Sequence, residues 1–359
     1  MINNMLVTGG AGFIGSNFIR FLQKQCANIS ITNLDLLTYA GSLENLHNLP
    51  NPDQYQFIQG DICDTSLVEN LLRDNQIDTI VHFAAESHVD RSLNGPAAFI
   101  QTNIVGTFSL LQAARKVWQQ ELGYGEHQVR FHHVSTDEVY GTLQPEDPPF
   151  EETTPYDPKS PYAATKASSD HLVRSYAHSF GLPITISNCS NNYGPYQFPE
   201  KLIPLMILNA LTGKPLPIYG DGLQIRDWLY VDDHCEAIWM ILNYGKTGES
   251  YNIGGGNQPP NIEIVNTICA ILDQEVPSTS LHTSLIEYVK DRPGHDRRYA
   301  MNISKIKDQL GWEPKFSLHK GLKQTVNWYL DNIDWLNAII SEKDYQNWVK
   351  INYQGRINS

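Results

Sequence analysis

The sequence has 359 residues and a formal net charge of −13. This length accommodates one large α/β domain together with a smaller second domain. The acidic excess argues against nucleic acid or an anionic membrane as the main partner, although a few placed arginines can still bind a nucleotide phosphate. No apolar run approaches the ~18–20 residues of a transmembrane helix, and a strand pattern begins close to the N-terminus. We therefore expect a soluble, cytoplasmic protein.

The cysteines are odd in number, widely scattered and free of any C-x-x-C pair. They are Cys26, Cys63, Cys189, Cys235 and Cys269. This usage favours reduced, packed thiols in a cytosol and gives no metal signature, so we predict no metal site.

The first predicted strand covers residues 5–8 and runs directly into a glycine-rich segment with Gly9, Gly12 and Gly15. A helical apolar period follows, so the glycines lie where a strand turns into a helix. Glycine there lets the backbone approach a pyrophosphate, whose charge the helix N-terminus favours. A second predicted strand ends at Asp35, which fits the ribose hydroxyls of NAD and would repel the extra phosphate of NADP. A purely structural glycine turn is the alternative, and the complete strand–glycine–helix–strand–aspartate order argues against it.

Further predicted strands at residues 55–59, 79–84 and 129–134 alternate with helices. The apolar run at 79–84 is typical of a parallel strand that is buried on both faces. This alternation predicts an α/β fold with a Rossmann-type doubly wound parallel sheet. Because ligands of such sheets bind beyond the carboxyl ends of the strands, the motifs at these ends should converge on one crevice.

The most informative residues follow the strand at 129–134. Tyr162 and Lys166 are four residues apart, which places them on one helix face. A lysine ammonium beside a phenol favours phenolate and moves its pKa from ~10 towards neutrality, which makes a general base for an alcohol proton. The adjacent Asp137 and Glu138 add an acid/base pair that a simple alcohol dehydrogenase does not need. We therefore predict oxidation followed by elimination.

Both pairs also have structural interpretations. Asp137 and Glu138 could simply cap a helix, and Tyr162 with Lys166 could be an ordinary helix pair. Their joint occurrence favours chemistry. Since neighbouring strand residues point to opposite faces, we expect Asp137 and Glu138 on a turn or helix start just past the strand.

From about residue 196 prolines punctuate short elements and the regular alternation stops. We predict a smaller, irregular α+β substrate domain at 196–224 and 256–314. The nucleotide domain would cover 1–195 with returns near 225–255 and 315–335, followed by a tail at 331–359 of unknown role. Arginine forks suit phosphate oxygens, so Arg226 and Arg292, with Lys201, are candidates for a diphosphate.

Taken together, these motifs resemble the extended short-chain dehydrogenase/reductase superfamily and, within it, the dTDP-glucose 4,6-dehydratase family. The resemblance runs from the first strand to about Tyr329. Its specific parts are residues 84–92, 135–141, 188–195, 199–204, 217–220, 225–234 and 291–299. The glycines and Tyr-x-x-x-Lys define only the superfamily, whereas the Thr-Asp-Glu triplet and the Asp-Arg-Pro-Gly-His segment are far more specific.

The resemblance implies an NAD-dependent lyase that converts dTDP-glucose to dTDP-4-keto-6-deoxyglucose and water, with NAD+ tightly bound and regenerated in each turnover. Tyr162 with Lys166 would take the 4-hydroxyl proton, and Thr136 would hydrogen-bond the same oxygen. Glu138 would remove and return the C5 proton, while protonated Asp137 would donate to the departing 6-hydroxyl. The implied catalytic residues are thus Thr136, Asp137, Glu138, Tyr162 and Lys166.

The resemblance also implies two sets of binding residues. The cofactor set comprises Gly9, Gly12, Phe13, Ile14, Gly15, Asp35, Leu36, Leu37, Thr38, Asp61, Ile62, Phe83, Ala84, Ala85, Ser87, Thr102, Tyr162, Lys166 and Asn192. The substrate set comprises Ser87, Thr136, Asn191, Glu200, Lys201, Leu202, Pro217, Ile218, Tyr219, Arg226, Asn261, Asp291, Arg292, His295 and Tyr299.

Amphipathic patterns at residues 97–112 and 168–180 indicate two helices. In the superfamily the equivalent helices pair into a four-helix bundle, so the resemblance implies a homodimer.

Three alternatives stay open at this point. A nucleotide-sugar 4-epimerase uses the same fold, NAD and Tyr/Lys pair, but has no need of an elimination pair. A 4,6-dehydratase for a UDP- or GDP-sugar would differ in few residues. A non-catalytic NAD-sensing regulator would be expected to lose the tyrosine or the lysine. The deoxysugar pathway, rhamnose or another, is also left open.

Overall fold

The computed structural model describes residues 2–26, 28–291, 295–341 and 345–347. The strands are β1 (Asn4–Thr8), β2 (Ser30–Asp35), β3 (Tyr55–Gln59), β4 (Thr79–His82), β5 (Arg130–Thr136), β6 (Ile184–Cys189), β7 (Asn191–Tyr193), β8 (Leu216–Tyr219), β9 (Trp228–Tyr230), β10 (Ser250–Ile253) and β11 (Ile286–Val289).

The helices are α1 (Phe13–Gln25), α2 (Thr65–Asp74), α3 (Val89–Asn94), α4 (Pro96–Phe99), α5 (Thr107–Ala114), α6 (Pro161–Phe180), α7 (Leu202–Leu211), α8 (Val231–Tyr244), α9 (Asn261–Glu275), α10 (Ser304–Leu310), α11 (Leu318–Asp331) and α12 (Ile333–Ser341). A π-helical segment, Ile100–Gly106, joins α4 to α5, and a second, Arg115–Glu121, extends α5, so one continuous helix spans 96–121. In the described ranges, no helix combines the length and apolar character that a membrane crossing demands.

Seven strands form one parallel sheet in the order β3-β2-β1-β4-β5-β6-β10. This is the Rossmann strand order with a seventh strand at the β6 edge, and it confirms the fold class predicted from the sequence. Alternate residues of β1 serve opposite faces. Met5 and Val7 pack with α1 and α8, whereas Leu6 packs with α2 and the 96–121 helix. The sheet is thus covered on both sides, as an all-parallel sheet requires.

A second core lies outside the large sheet. Helices α7, α9, α11 and α12 bury their apolar faces together, and β8 pairs with β11 in a small parallel sheet beside them. Strand β9 pairs with β7 in a separate two-stranded sheet, and its Leu229 packs with residues of β6 and β10 of the large sheet. One detail differs from the sequence prediction. Helix α11 packs mainly on α9, so residues 318–331 contact the smaller lobe, although residues 315–335 were expected to return to the nucleotide domain.

Candidate active site

A glycine turn between β1 and α1 forms one wall of a deep crevice. Gly9 has a φ of +73°, and a Cβ there would lie 2.6 Å from the backbone nitrogen of Ala84. A Cβ on Gly15 would lie 2.3 Å from the carbonyl oxygen of Gly9. Only glycine therefore fits where the turn meets β4, and the exposed N-terminus of α1 is left facing the crevice.

Asp35 at the end of β2 holds this turn in place. Its carboxylate accepts hydrogen bonds from the backbone N–H groups of Ala11, at 2.9 Å, and Leu37, at 2.8 Å. Burial raises the pKa of Asp35, and the two backbone donors oppose that shift. The carboxylate also lines the crevice, where it is placed to accept ribose hydroxyls.

The cofactor crevice, defined by the residues that line it, has a volume of about 310 Å³. It brings together most of the residues predicted to bind a cofactor: Gly9, Gly12, Phe13, Ile14, Gly15, Asp35, Leu36, Thr38, Asp61, Ile62, Phe83, Ala84, Ala85, Ser87, Thr102, Tyr162, Lys166 and Asn192. Leu37 is the exception. It has a left-handed backbone, with φ +56°, and its side chain packs in the core beside α1 instead.

The catalytic turn follows β5 without a break. Thr136 is the last residue of the strand, and Asp137 and Glu138 begin a 3₁₀ turn, which confirms the predicted position just past the strand. The Thr136 hydroxyl caps this turn by accepting a hydrogen bond from the Glu138 backbone N–H at 3.3 Å. Gly141 ends the turn with φ +92°, where a Cβ would lie 2.6 Å from the Asp157 carbonyl oxygen.

Helix α6 carries Tyr162 and Lys166 into the same crevice. Ser160 caps its N-terminus by accepting from the Ala163 backbone N–H at 3.1 Å, and Pro161 occupies the first turn. The tyrosine therefore lies in the first turn of a firmly anchored helix, and the lysine lies one turn later.

A buried charge network fixes Lys166. Its ammonium donates to the Val134 carbonyl at 2.8 Å and lies 3.4 Å from Nε2 of His133. That histidine pairs at 3.1 Å with the buried Asp170, which also accepts from the Ser135 hydroxyl at 2.8 Å. Burial lowers the pKa of Lys166, while Asp170 opposes the shift.

The predicted effect of Lys166 on the phenol is wrong for the chain alone. Burial raises the pKa of Tyr162 well above its ordinary value, and the Glu138 carboxylate adds to this shift. A hydrogen bond with Thr136 acts in the opposite direction. The physical reason is that burial disfavours the phenolate more than a nearby ammonium can favour it, and the ammonium of Lys166 already donates to the Val134 carbonyl.

Asp137 and Glu138 have different environments. Asp137 is 2% exposed, and burial together with the carboxylates of Glu138 and Asp227 raises its pKa well above the usual range. Glu138 is only partly buried and lines both the cofactor crevice and the neighbouring cavity. Two adjacent carboxyls in such unlike surroundings can act as an acid and a base.

A second cavity of about 180 Å³, here called the substrate cavity, adjoins the crevice. The two spaces share Ser87, Glu138, Asn191, Glu200 and Lys201. The side-chain oxygens of Asn191 and of another lining residue, Asn261, are buried and have no hydrogen-bond partner among the described residues. Unsatisfied buried amide oxygens in a cavity wall indicate a polar ligand.

Most of the predicted substrate residues line this cavity: Ser87, Asn191, Glu200, Lys201, Leu202, Pro217, Ile218, Tyr219, Arg226, Asn261 and His295. Thr136 lies in the adjoining crevice. Asp291 and Tyr299 are not in the wall. Asp291 accepts a hydrogen bond from His295 at 2.6 Å, and Tyr299 lies beneath the Arg226 guanidinium, 4.4 Å from the ring centroid. Arg292 lies outside the described residues.

Three residues that contact or influence side chains of the crevice and cavity walls had no place in the predicted site. Arg91 pairs with Glu200 at 3.0 Å and stacks on the Tyr39 ring at 3.6 Å. Asp170 follows Lys166 by four residues, so its position on the same helix face was a usable signal. Burial raises the pKa of Asp227 to about 6. Its carboxylate in turn raises the pKa of Asp137, and the distance between the two residues along the chain meant that this could not be predicted.

Across the described part of the chain, no cluster of three or more His, Cys, Asp or Glu side chains is placed to hold a metal ion. The crevice brings together a phenol, an ammonium and two carboxyls, those of Tyr162, Lys166, Asp137 and Glu138. A Rossmann sheet with these groups at its carboxyl edge defines a dinucleotide-dependent enzyme of the extended short-chain dehydrogenase/reductase class.

Comparison with known proteins defines the family within this class. The sequence profile described as GDP-mannose 4,6 dehydratase matches residues 6–325. The dTDP-glucose 4,6-dehydratase of Salmonella typhimurium is 53% identical over 98% of this chain and 99% of its own length. The chain belongs to the dTDP-glucose 4,6-dehydratase family, as the sequence predicts.

Solved structures agree. A dTDP-glucose 4,6-dehydratase from Streptomyces venezuelae, crystallised with NAD, has a TM-score of 0.85 and 44% identity over 94% of this chain and 99% of that one. A UDP-glucose 4-epimerase from Thermotoga maritima, crystallised with UDP-glucose, has a TM-score of 0.80 at 30% identity over 92% and 99% of the two chains. Fold likeness alone thus spans both reactions, whereas the sequence identity is higher to the dehydratase.

Proposed function

We propose that the chain is an NAD-dependent hydro-lyase that converts dTDP-glucose to dTDP-4-keto-6-deoxyglucose and water. The observation that carries this proposal is the Asp137–Glu138 pair beside Tyr162 in one crevice. An epimerase needs the tyrosine alone, whereas elimination needs an acid and a base beyond it. The regulator alternative finds no support, since the phenol and the ammonium are both retained.

The glycine turn, Asp35 and the small residues after β4 fit NAD, because they line one crevice where the N-terminus of α1 can face a pyrophosphate and Asp35 can accept ribose hydroxyls. Bound NAD+ would supply a hydride acceptor for C4 and, once reduced, a hydride donor for C6. Tyr162 removes the 4-hydroxyl proton while Thr136 hydrogen-bonds the same oxygen. Burial raises the pKa of Tyr162 in the chain alone, so positive charge beside the phenol would favour its ionisation.

The 4-ketone makes the C5 hydrogen acidic, and Glu138 at the junction of the two cavities removes it. Asp137, kept protonated by its raised pKa, donates to the departing 6-hydroxyl. Glu138 then returns its proton to C5. Burial and position support these roles of Tyr162, Thr136, Glu138 and Asp137. Lys166, one turn after Tyr162, anchors the same helix to β5 through the Val134 carbonyl.

We assign the nucleotide and sugar to the substrate cavity. Arg226 is 5% exposed and held by the carbonyls of Ile225, at 2.7 Å, and Asp296, at 2.9 Å, so its guanidinium is fixed in the cavity wall. A fixed guanidinium suits a diphosphate. Tyr219 presents its ring beside His295, with centroids 6.3 Å apart, where a planar base can stack.

Mass spectrometry of dTDP-glucose incubated with the purified protein, without added cofactor, tests the reaction. UDP-glucose and GDP-mannose run in parallel. Loss of one water from dTDP-glucose alone is the expected result. An unchanged mass with a new sugar isomer would make the protein an epimerase, and loss of water from another nucleotide sugar would change the substrate. No reaction with any of the three, even after NAD+ is added, would contradict the proposal.

We further propose a homodimer formed through the 96–121 helix and α6. Ile100 is 51% exposed, Phe108 42% and Val105 36%, which leaves an apolar face on the first of these helices. Burying such a face against a second copy is favourable. The solution mass of the protein, compared with that of a Phe108→Glu variant, tests this, because the charged variant is expected to be monomeric.

The division of labour between lobes and the location are also proposals. The large sheet with its helices binds NAD, and the smaller lobe around α7 and α9 binds the sugar nucleotide. Strand β10 pairs at the edge of the large sheet, although it lies between β8 and α9 of the smaller lobe in the sequence, and this supports a fixed position of one lobe against the other. Five free cysteines support a cytoplasmic location, because reduced thiols are usual there. Limited proteolysis and cell fractionation, respectively, test the two assignments.

A further inference from the structure

Three chain segments meet beside the junction of the cofactor crevice and the substrate cavity. They are residues 38–41 after β2, 86–91 after β4 and 198–201 before α7, and each contributes to the wall of one or both cavities. Arg91, on α3, is not among the described residues that line the two cavities, yet it contacts a side chain of each of the other two segments. The proposed mechanism gives this arginine no role.

The contacts of Arg91 hold it between a carboxylate and an aromatic ring. Its Nε donates to Oε2 of Glu200 at 3.0 Å, and its Nη2 lies 3.0 Å from the same oxygen. The guanidinium carbon lies 3.6 Å from the centroid of the Tyr39 ring. Tyr39 in turn packs on Phe198, with ring centroids 5.8 Å apart. A planar guanidinium that is stacked and paired in this way fixes the orientation of the carboxylate it binds.

Glu200 depends on such a partner because its side chain is only 1% exposed. Burial raises the pKa of Glu200, and the cations of Lys201 and Arg91 oppose this shift. The ammonium of Lys201 donates to the Ser87 carbonyl at 3.2 Å, so the adjacent residue is also anchored to the segment after β4. Loss of Arg91 would therefore leave a buried carboxyl less firmly placed and less readily ionised.

The position of Glu200 matches the sugar half of the proposed substrate. Glu200 lines both cavities, as does Glu138, which the proposed mechanism places beside C5 of the sugar. The diphosphate and the base are assigned to Arg226 and Tyr219, which line the substrate cavity and are not among the described residues of the crevice wall. An ionised carboxylate at the junction accepts hydroxyl hydrogen bonds, and its charge strengthens them.

We propose that Arg91 is a positioning residue for the sugar: it holds the Glu200 carboxylate in the orientation in which that group accepts a hydroxyl of the glucosyl ring. Tyr39 holds Arg91 from the loop that follows β2. The nucleotide half of the substrate does not depend on this arrangement. The inference rests on the proposed dehydratase function.

A comparison of the whole substrate with its nucleotide part tests the proposal. For the NAD-loaded proteins, kcat/KM is measured with dTDP-glucose, and the inhibition constant is measured with dTDP as a competitive inhibitor. We expect Arg91→Met to lower kcat/KM by about 10- to 100-fold, as for the loss of a charge-assisted hydrogen bond, and to leave the inhibition constant within about twofold of wild type.

Arg73→Met is the matched control. Arg73 also pairs with carboxylates, those of Glu69 at 2.9 Å and Glu121 at 2.6 Å, but it lies on α2 outside the residues that line the two cavities. Both kinetic constants should stay at wild-type values in this variant. A change that merely followed from losing a buried or surface ion pair would not separate the two constants.

A double-mutant cycle tests whether Arg91 acts through Glu200. Glu200→Gln should itself lower kcat/KM, and Arg91→Met should add little in that background, because both changes affect one carboxylate. Tyr39→Leu removes the ring and keeps the ion pair. It should lower kcat/KM by about 3- to 10-fold, again with little effect on dTDP inhibition.

Three results would overturn the inference. Wild-type kcat/KM in Arg91→Met would show that the arginine has no role in the reaction, and an equal loss of dTDP inhibition would show that it supports the nucleotide site instead. Additive effects of Arg91→Met and Glu200→Gln would show that it does not act through Glu200. Failure of the wild-type protein to dehydrate dTDP-glucose would instead contradict the proposed function. NAD content and circular dichroism show whether each variant is folded, and Tyr39→Leu carries the test if Arg91→Met is not.

Discussion

At the scale of single residues, the catalytic turn separates two neighbouring carboxyls. A continued strand would send Asp137 and Glu138 to opposite faces of the sheet. The 3₁₀ turn after Thr136 instead keeps both at the crevice, one fully buried and one at the mouth of the substrate cavity. This local geometry, set by the Thr136 cap and the Gly141 end, gives one carboxyl a raised pKa.

Asp137→Asn should uncouple oxidation from elimination. The amide keeps the shape of the side chain but cannot donate an acidic proton, so elimination should slow by about 10²- to 10⁴-fold, the usual range for general acid catalysis. C4 oxidation does not use this group, so reduced nicotinamide should accumulate on the protein. Its absorbance after addition of dTDP-glucose, with product mass, measures both steps. Asp308→Asn, at an exposed helix position, is the matched control. Wild-type turnover in Asp137→Asn would contradict the assigned role.

The sequence revealed the residues whose relation is local. Spacing within a helix identified Tyr162 and Lys166, and adjacency identified Asp137 and Glu138. It could not show that Asp227 lies near Asp137, or that His133 engages Lys166, because these relations arise between elements far apart in the chain. The pKa of Tyr162 was mispredicted for the same reason, since burial depends on the whole crevice. Asp170 was open to prediction, because it follows Lys166 by four residues on the same helix.

At the scale of elements, α12 connects the C-terminal region to the cofactor crevice. Trp335 donates from Nε1 to the Asn45 side-chain oxygen at 2.9 Å, and Asn45 donates to the Ala11 carbonyl at 2.8 Å. Farther along, Tyr345 packs on Phe198, a residue of the crevice wall, with ring centroids 5.8 Å apart. Tail composition alone could not predict this, because the contacts reach back almost 300 residues.

Trp335→Phe should weaken this connection while keeping most of the aromatic packing. The loss of one hydrogen bond, with the Asn45 oxygen left buried, should cost about 1–2 kcal/mol of stability. The glycine turn loses a support, so the protein should also retain less NAD after gel filtration. Trp328→Phe is the matched control, because Trp328 lies in the same aromatic cluster, 5.1 Å from Trp335 between centroids. Equal NAD loss in both variants would show that general packing, and not the hydrogen bond, is responsible.

At the scale of the whole molecule, the large sheet and helix α8 carry buried histidines that the fold holds neutral. His82, His132, His133 and His234 are all at most 1% exposed. Burial lowers the pKa of each, to about 4 for His133 and about 3 for His234. Both ring nitrogens of His82 and of His132 lie within hydrogen-bond distance of hydroxyl groups; Nδ1 of His132, for example, lies 2.9 Å from Oγ1 of Thr185. Proton uptake by these groups on unfolding therefore makes the fold sensitive to acid.

His234→Gln should remove one of the groups that take up a proton on unfolding, and so should make the free energy of unfolding less dependent on pH. The folded pKa of His234, about 3, lies below the unfolded value near ~6.5. As the pH falls through that window, the unfolded chain binds a proton that the folded chain does not, so this histidine lowers stability by up to ~1.4 kcal/mol per pH unit. The variant has no titratable group at this position. Relative to wild type, His234→Gln should therefore gain stability as the pH falls from about 6 to about 4.5. Urea unfolding of the NAD-loaded proteins across that range measures the shift, with His319→Gln at an exposed site as the control. Parallel curves for wild type and His234→Gln would show that the buried imidazole does not contribute to the acid sensitivity.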